Sequence, residues 1–341
     1  MTTPQNATPF LIQNRRYIGN KHKLSDWIFE NITAHCTGSV FFDAFAGTGV
    51  ISAEALKHYN KVILNDFLRS NYVSYQAFFN SEDADESFLH SKLAEYAELV
   101  PEHLSENYFE EKFAGNFFTQ NSAHIIGHIR DDIEKSAQKN SKEYFFLLAS
   151  LIYSADKVAN TVGHYEAFLR TGHTKQEFKF KPINPLNTKN NEVEIYRKDT
   201  NELAKSVVCD VAYIDPPYNS RQYSRFYHVL ETLTKWDFPK LSGTALKPPP
   251  ENMSEYSRSS ATKTFENLIR NLNVKYIAVS YNNTYKSKSS SSKNKINLET
   301  IAEILSKRGE TKTFSVPYKH FNAGNTHFDN HKEYLFITEV K

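Results

Sequence analysis

The chain has 341 residues, 40% of them hydrophobic, which excludes a disordered protein and predicts roughly two domains. Its formal net charge is +2, so any site for a polyanion must be a local patch. Only two cysteines occur, Cys36 and Cys209, which excludes a disulfide framework and favours a cytoplasmic protein. No apolar run approaches the roughly 20 residues of a membrane helix.

The first elements along the chain predict a β-turn-α-β unit. After a basic segment at residues 15–23 and a helix at residues 24–32, an apolar strand covers residues 40–45. A tight turn at residues 46–49 leads into a helix, and residues 61–66 form the second strand. This alternation is typical of a doubly wound parallel sheet.

The middle of the chain has helical periodicity and few strand signals. Its periodic stretches are residues 88–99, 124–137 and 143–157. Strand signals return at residues 194–197, 207–214 and 276–281, and residues 312–316 and 333–338 are predicted to pair as an antiparallel hairpin at the sheet edge. The predicted fold is therefore α/β, with a Rossmann-like sheet in residues 14–80 and 190–341 and a mainly helical insert in residues 81–189.

The glycine turn Phe45-Ala46-Gly47-Thr48-Gly49 lies between a predicted strand and a helix. Glycines at this place permit close approach of a ligand to the backbone. The dinucleotide fingerprint G-x-G-x-x-G is incomplete, because Ser52 stands at its last position. Asp66 ends the second strand 66 − 47 = 19 residues after the first glycine, where an acidic residue that binds ribose hydroxyls is expected. The pattern indicates a nucleoside-containing cofactor without specifying which.

The segment Asp215-Pro216-Pro217-Tyr218 follows a predicted strand, at the carboxyl edge of the sheet where open α/β proteins place ligands. Two consecutive prolines remove two backbone donors and fix two φ angles, so the loop is stiff. The flanking carboxylate and ring suit a site that holds a planar base on Tyr218 and accepts hydrogen bonds from its amino group through Asp215. A proline-rich turn with a capping aspartate is the alternative, but that role requires neither the strand nor the ring.

Together these motifs resemble the S-adenosylmethionine-dependent amino-methyltransferases of DNA, in which F-x-G-x-G binds the cofactor and D-P-P-Y forms the catalytic pocket. Residues 16–21 are similar to the N-terminal motif [YW]-x-G-[GS]-K of the Dam-like, alpha-ordered adenine methylases, particularly the FokI-methylase-like branch. Asn20 stands where that motif has Gly or Ser. The motif order is the alpha arrangement, and the resemblance covers nearly the whole chain.

The resemblance implies an S-adenosylmethionine-dependent methyltransferase sheet and a set of site residues. The catalytic pocket would be formed by Asp215, Pro216, Pro217 and Tyr218. The cofactor contacts would come from Tyr17, Gly19, Lys21, Asp43, Phe45, Gly47, Gly49, Asp66, Asp199 and Asp215. No metal is expected, because the helically spaced pair His124 and His128 lacks an adjacent glutamate and a third ligand.

The amino group of adenine is a poor nucleophile, because its lone pair is delocalised into the ring. Hydrogen bonds from its two protons to Asp215 and to the Pro216 carbonyl are predicted to prepare the nitrogen for direct methyl transfer. Methylation of a cytosine carbon would require a Pro-Cys nucleophile, and neither Cys36 nor Cys209 has that setting. Both cysteines are predicted to be buried packing residues.

Double-stranded DNA is the predicted substrate, and the target base must leave the duplex at a cost of a few kcal/mol. Basic residues are expected to hold the DNA backbone through salt-dependent, sequence-blind contacts. The candidates are Arg15, Arg16, Arg221, Arg225, Lys286, Lys288, Lys293 and Lys295. For the lysines, a solvated surface loop is the alternative. Base readout is assigned to the helical insert and to residues 240–260.

The leading hypothesis is a monomeric DNA adenine methyltransferase of a restriction–modification system, with a cognate restriction endonuclease as a partner. Methyl transfer to ribosomal RNA, to a protein glutamine or to a cytosine amino group stays open. The separation of Gly49 and Asp215 in the sequence (215 − 49 = 166 residues) favours DNA over RNA as the substrate, and Asp215 favours adenine over cytosine as the target base. A dinucleotide oxidoreductase would leave D-P-P-Y without a role, and the intact D-P-P-Y argues against an inactive DNA-binding subunit.

Overall fold

The computed structural model describes residues 8–169, 177–218, 221–283, 295–318 and 331–341. Its strands are β1 (Val40–Asp43), β2 (Lys61–Asn65), β3 (Glu192–Tyr196), β4 (Val208–Ile214), β5 (Asn273–Asn282), β6 (Gly309–Pro317) and β7 (Lys332–Val340). Its helices are α1 (Ser25–His35), α2 (Val50–Ala55), α3 (Arg69–Phe79), α4 (Glu86–Ala97), α5 (Tyr108–Phe113), α6 (Gln120–Ser136), α7 (Lys142–Val158), α8 (Thr200–Leu203), α9 (Tyr223–Phe226), α10 (His228–Lys235), α11 (Ala261–Asn271) and α12 (Leu298–Ser306). Within these residues, no helix combines the length and the apolar character that a membrane crossing needs.

The chain forms two compact units, each built from three stretches of sequence. The sheet unit comprises Lys21–Phe67, Asn190–Tyr223 and Asn252–Lys341. The helical unit comprises Met1–Asn20, Leu68–Lys189 and Ser224–Glu251. Helix α3 and the stretch around α10 thus lie in the helical unit, whereas the sequence analysis grouped them with the sheet.

The sheet unit contains all seven strands, in the order β3-β2-β1-β4-β5-β7-β6. Strands β1 to β5 pair in parallel, while β7 runs antiparallel to β5 and β6 antiparallel to β7. The predicted strands and the antiparallel pair at the sheet edge are confirmed, with end shifts of a few residues. Strand order reverses between β1 and β4, and ligands of open α/β sheets bind at the carboxyl ends of the strands at such a switch point. The glycine turn and the D-P-P-Y segment follow these two strands.

An apolar core covers one face of the sheet. Alternate residues such as Phe42 on β1 and Ala212 and Ile214 on β4 are fully buried there. Phe265 of α11 and Ile301 of α12 complete this core and are also fully buried. Since side chains of a strand alternate between faces, Asp43, Tyr213 and Asp215 do not share this cluster. The core therefore fixes the strand ends that carry the candidate site.

The helical unit packs α3 and α6 against α7, whose sequence is apolar around most of its circumference. Side-chain caps begin several of its helices, as at Thr119 of α6 and Ser141 of α7, and satisfy backbone N–H groups there. Helix α3 has no cap from Leu68; instead the buried carboxylate of Glu231 accepts bonds from the N–H groups of Arg69 and Ser70. The predicted helical character of the middle region is confirmed.

Candidate functional site at the carboxyl edge of the sheet

The glycine turn after β1 requires backbone conformations that favour glycine. Gly47 has φ 55° and Gly49 has φ 83°, both in the left-handed region. The N–H of Gly49 donates to the carbonyl of Ala46 at 2.7 Å, and the N–H of Ala46 donates to the carbonyl of Asn65 at 2.9 Å. The turn is thus tight and fixed to the end of β2. It leaves backbone rather than side chains at the strand end, as the sequence predicted.

Asp66 follows β2 and reaches the same turn. Its Oδ2 accepts a hydrogen bond from the N–H of Gly47 at 3.0 Å. Phe45 packs edge-on against Tyr256, with ring centroids 5.0 Å apart, and Tyr256 donates to Asn201 Oδ1 at 2.9 Å. These contacts bring together, at the ends of β1 and β2, residues that the sequence analysis assigned to one cofactor site.

Asp199 stands at the end of the third parallel strand, β3, and is exposed. It is the N-cap of α8, where its Oδ1 accepts from the N–H of Glu202 at 3.1 Å. Capping leaves an exposed carboxylate with a second oxygen, so this role does not exclude the predicted contact with a cofactor. That contact stays a prediction.

Asp43, the last residue of β1, carries a carboxyl group that is almost completely buried. Ser52 donates to its Oδ2 at 2.7 Å, whereas its Oδ1 has no hydrogen-bond partner among the described residues. Burial, together with the negative charges of Asp215 and Asp66, raises the pKa of Asp43 to about 7. A buried carboxyl with an orphaned oxygen is unfavourable on its own and suits a cationic or hydrogen-bond-donating ligand.

Asp215, directly after β4, belongs to a buried charge cluster. Lys21 Nζ lies 3.0 Å from Asp215 Oδ1 and 3.1 Å from Glu333 Oε1. The side chains of Lys21, Asp215 and Glu333 are 5%, 15% and 3% exposed, so solvent does little to weaken these interactions. Ser280 donates to Glu333 Oε1 at 3.0 Å. We call Lys21, Asp215, Glu333 and Ser280 the lysine–dicarboxylate cluster.

This cluster has one positive and two negative charges. Burial raises the pKa of Asp215 to about 6; the nearby ammonium of Lys21 lowers it and the carboxylate of Glu333 raises it. The two carboxylates raise the pKa of Lys21 well above its usual value despite burial. Lys21 is therefore charged, and Asp215 is ionised above about pH 6.

Tyr218 lies beside the cluster and is only 7% exposed. Lys21 Nζ lies 5.7 Å from the centroid of its ring, and Tyr281 meets it edge-on with centroids 6.2 Å apart. The two prolines between Asp215 and Tyr218 hold both groups in one rigid segment. Stacking of a base on Tyr218 stays a prediction, because most of its ring is covered in this structure.

Five of the predicted site residues lie in the helical unit: Arg15, Arg16, Tyr17, Gly19 and Arg225. Tyr17 stacks on Tyr227 with ring centroids 4.7 Å apart, and Gly19 has φ 83°. Arg15 is buried and donates to Asn71 Oδ1 at 2.6 Å and to Ser70 at 2.9 Å. Arg225 donates to the carbonyl of Pro248 at 2.6 Å. These bonds give Arg15 and Arg225 a structural role, and their contacts with DNA stay predictions.

The remaining basic candidates differ in how much of the side chain is accessible. Arg221 is exposed, which suits a phosphate contact. Lys295 is partly buried, and burial lowers its pKa to about 8. Lys286, Lys288 and Lys293 lie outside the described residues. Arg221 is thus the candidate that the described structure supports most directly.

Both cysteines are buried, as predicted. Burial raises the pKa of the Cys36 and Cys209 thiols to about 12. Such thiols are protonated at neutral pH and are poor nucleophiles. Their environment agrees with a reaction that forms no covalent enzyme intermediate.

Sequence reasoning missed Glu333 and Ser280 as site residues and recognised only the strands that carry them. An acidic residue at the start of an apolar strand, Glu333-Tyr334-Leu335-Phe336-Ile337, was the available signal. Charged residues are seldom buried without a partner, so this pattern indicated either an exposed strand end or a buried ion pair. The pairing of Asn282 with Glu333 across β5 and β7 decides between them.

The sequence profile of the family described as "D12 class N6 adenine-specific DNA methyltransferase" matches residues 17–286. The chain is 32% identical to the "Type II methyltransferase M.NlaIII" of Neisseria lactamica, over 95% of this chain and 98% of that protein. It is 31% identical to "Type II methyltransferase M.CviAII" of Paramecium bursaria Chlorella virus 1, over 95% of this chain and 98% of that protein. It is also 31% identical to "Type II methyltransferase M.FokI" of Planomicrobium okeanokoites, over 90% of this chain but 50% of that longer protein.

Proposed function

Because this chain belongs to the D12 class of N6 adenine-specific DNA methyltransferases, we propose that it methylates the exocyclic amino group of an adenine flipped out of duplex DNA, with S-adenosylmethionine as donor. The observation that carries this assignment of roles is the position of Asp215. It follows β4 at the switch point of the sheet, ionised above about pH 6 and held by Lys21. The glycine turn follows β1, the neighbouring strand.

The residues at the sheet edge fit a cationic nucleoside donor. Asp43 has an orphaned buried oxygen, Asp66 holds the glycine turn, and Asp215 lies in a cluster with an excess negative charge. An acidic, partly buried site of this kind attracts a sulfonium and an ammonium group. We assign the ribose hydroxyls to Asp66, the amino end of the donor to Asp43 and the adenine end to Asp199, with Phe45 beside them.

The chain's own groups orient the target and need not react covalently. When bound, S-adenosylmethionine would supply a methyl group on a sulfonium; an amino nitrogen would take this group as the bond between carbon and sulfur breaks, and would then lose one of its protons to solvent. Asp215 and the Pro216 carbonyl accept hydrogen bonds from the two amino protons and turn the lone pair away from the ring. Pro217 and Tyr218 fix this geometry, so most of the catalysis comes from positioning and fixed charge.

The partners follow from the same assignment. Double-stranded DNA is bound through its phosphates by exposed basic residues, first of all Arg221, and the helical unit reads the target sequence. Since the related proteins are named type II methyltransferases, we propose that the chain is a modification enzyme with a cognate restriction endonuclease. We also propose that it is a cytoplasmic monomer. Sequencing of methylated positions in a host that carries the gene would identify the recognition sequence and test the first of these proposals.

The proposal is tested by methyl transfer from labelled S-adenosylmethionine to duplex DNA, followed by digestion and identification of the methylated base. The expected product is N6-methyladenine. Asp215→Ala is expected to lower kcat by at least about a hundredfold, since it removes the acceptor of an amino proton. Its affinity for the donor should change little, because other residues hold most of that molecule.

Asp26→Ala is the matched control, because Asp26 is exposed in the first turn of α1 and is expected to be dispensable. Full activity of Asp215→Ala would contradict the proposed role of the carboxylate. N4-methylcytosine as the product, or transfer to ribosomal RNA in place of DNA, would instead favour one of the alternative substrates.

A further inference from the structure

We infer that Glu333 is a positioning residue of the methyl transfer, which holds Lys21 between two carboxylates and thereby keeps Asp215 a strong hydrogen-bond acceptor. This inference rests on the proposed role of Asp215. Glu333 lies far along the chain from the D-P-P-Y segment and belongs to a different strand. In the proposed reaction it contacts no reacting atom and acts only through Lys21.

The ammonium group of Lys21 is shared between Asp215 and Glu333. Its Nζ lies at nearly equal distances from Asp215 Oδ1 and Glu333 Oε1, 3.0 and 3.1 Å. An ammonium group bonded to a single buried carboxylate would neutralise that carboxylate most strongly. Sharing leaves more negative charge on Asp215, which is the charge that an amino proton of adenine would meet.

The position of Glu333 is fixed independently of Lys21. Its residue pairs with Asn282 across β5 and β7, and Ser280 donates to the same Oε1 at 3.0 Å. The side chain is 3% exposed. A buried carboxylate on a paired strand that accepts a hydrogen bond from Ser280 has few alternative rotamers, so Glu333 holds the ammonium at a fixed place.

Other charged and titratable groups of the sheet unit also act on this cluster. Lys21 lowers and Glu333 raises the pKa of Asp215, while burial is the largest influence. The remaining groups are Asp43 on β1, Tyr213 on β4, Tyr218 after β4, Tyr281 on β5 and Tyr318 after β6. The four tyrosines are neutral at working pH because their pKa values are raised, so the balance is set by Lys21 and the carboxylates.

Loss of the Glu333 charge would therefore have a defined sign. In Glu333→Gln, Lys21 acts on Asp215 alone, and the pKa of Asp215 falls. Activity needs ionised Asp215, so the acidic limb of the kcat/KM profile, which reports ionisations of the free enzyme, moves to lower pH by about one unit. On the plateau above it, kcat falls about tenfold because the acceptor is weaker. The KM for DNA changes little.

The test measures kcat and KM against pH for the natural enzyme and for Glu333→Gln, Glu333→Asp and Glu339→Gln. Glu339 lies on the same strand but is exposed, so its variant controls for the chemical change and should match the natural enzyme. Glu333→Asp keeps the charge at a shorter reach and should fall between the two. Cofactor titration and thermal melting establish that each variant is folded.

The possible results distinguish the role of Glu333 from the proposed function of Asp215, on which it rests. A lower plateau with an unmoved acidic limb in Glu333→Gln means a merely structural role and overturns the inference. Wild-type behaviour of Glu333→Gln overturns it as well, while an inactive Asp215→Ala leaves the proposed function in place. If Glu333→Gln does not fold, the pH–rate profile of Glu333→Asp is the test. An acidic limb at the same pH as in the natural enzyme, with a normal plateau, contradicts the inference.

Discussion

The ends of β1 and β4 both contribute to the candidate site, but they are built in opposite ways. After β1, the chain turns on two glycines with positive φ angles, and the contacts are made by backbone N–H groups and one nearby carboxylate. After β4, the chain is stiffened by prolines, and its carboxylate pairs with Lys21, which also pairs with Glu333 of a distant strand. The first strand end contacts its surroundings mainly through backbone groups of residues close in sequence, whereas the second depends on charged side chains from distant parts of the chain.

This difference matches two different tasks. Binding of a nucleoside needs close approach and directed hydrogen bonds, which a glycine turn and an aspartate at the next strand provide. Activation of an amino group needs a fixed acceptor whose basicity is adjusted, and that adjustment requires other charges nearby. The buried cluster supplies them at the price of burying three ionisable groups in one place.

Removal of Lys21 should disrupt the lysine–dicarboxylate cluster and should have the largest effect on kcat. Lys21→Met leaves Asp215 and Glu333 as neighbouring buried carboxylates, so one of them takes up a proton. We expect kcat to fall by at least about a hundredfold. The acidic limb should lie at higher pH than in the natural enzyme, since Lys21 lowers the pKa of Asp215. This sign is opposite to that of Glu333→Gln.

The measurement is the pH dependence of single-turnover methyl transfer. Lys23→Met, at an exposed position two residues further on, removes an equal charge and should behave as the natural enzyme. An acidic limb that stays in place in Lys21→Met would show that the ammonium does not set the ionisation of Asp215.

The contrast between the strand ends also explains which parts of the site the sequence predicts. The glycine turn, Asp66 and the D-P-P-Y segment can be recognised in the sequence, because each depends on residues close in sequence or on fixed spacing. Glu333 is not readable, because its partnership with Lys21 depends on the order β4-β5-β7 in the sheet. Likewise, the burial of Arg15 beneath hydrogen bonds to Asn71 and Ser70 depends on tertiary packing that charge patterns do not show.

The strands themselves are predicted well, since strand-like runs of four to eight residues with flanking turns leave few alternatives. The division into units is harder to foresee, because three separate stretches make up each unit. Periodicity identifies α4, α6 and α7 but does not indicate that the stretch around α10 packs with α3 and α7. Such packing is decided by long-range contacts.

Asp43 offers a test of the β1 end, because it is a carboxyl group there with a strongly perturbed pKa. Its pKa is raised to about 7 by burial, whereas an unfolded aspartate has a pKa near 3.9. Between about pH 4 and pH 7 the folded protein keeps a proton that the unfolded chain releases, so stability falls as pH rises through this window. Asp43→Asn removes this ionisation and should be more stable than the natural protein above pH 7.

Urea unfolding without donor at pH 5 and pH 8 checks this expectation, with the exposed Asp26→Asn as control. The difference in unfolding free energy between the two pH values should shrink in Asp43→Asn by on the order of 1 kcal/mol. Donor affinity should fall in the same variant, because the orphaned oxygen no longer carries charge. An unchanged pH dependence would mean that Asp43 is ionised throughout in the folded protein.

The smallest expected effect on activity or binding concerns Asp66, which contacts the glycine turn after β1. In Asp66→Asn the amide oxygen can still accept from the N–H of Gly47, so the turn keeps its form. Only the charged acceptor for a ribose hydroxyl is lost, which we expect to weaken donor binding about three- to tenfold, or roughly 1 kcal/mol. Calorimetric titration measures this loss, and kcat at saturating donor should be unchanged, since Asp66 is not part of the lysine–dicarboxylate cluster. A fall in kcat with unaltered donor affinity would instead show that Asp66 takes part in catalysis, so that the ends of β1 and β4 would not have separate tasks.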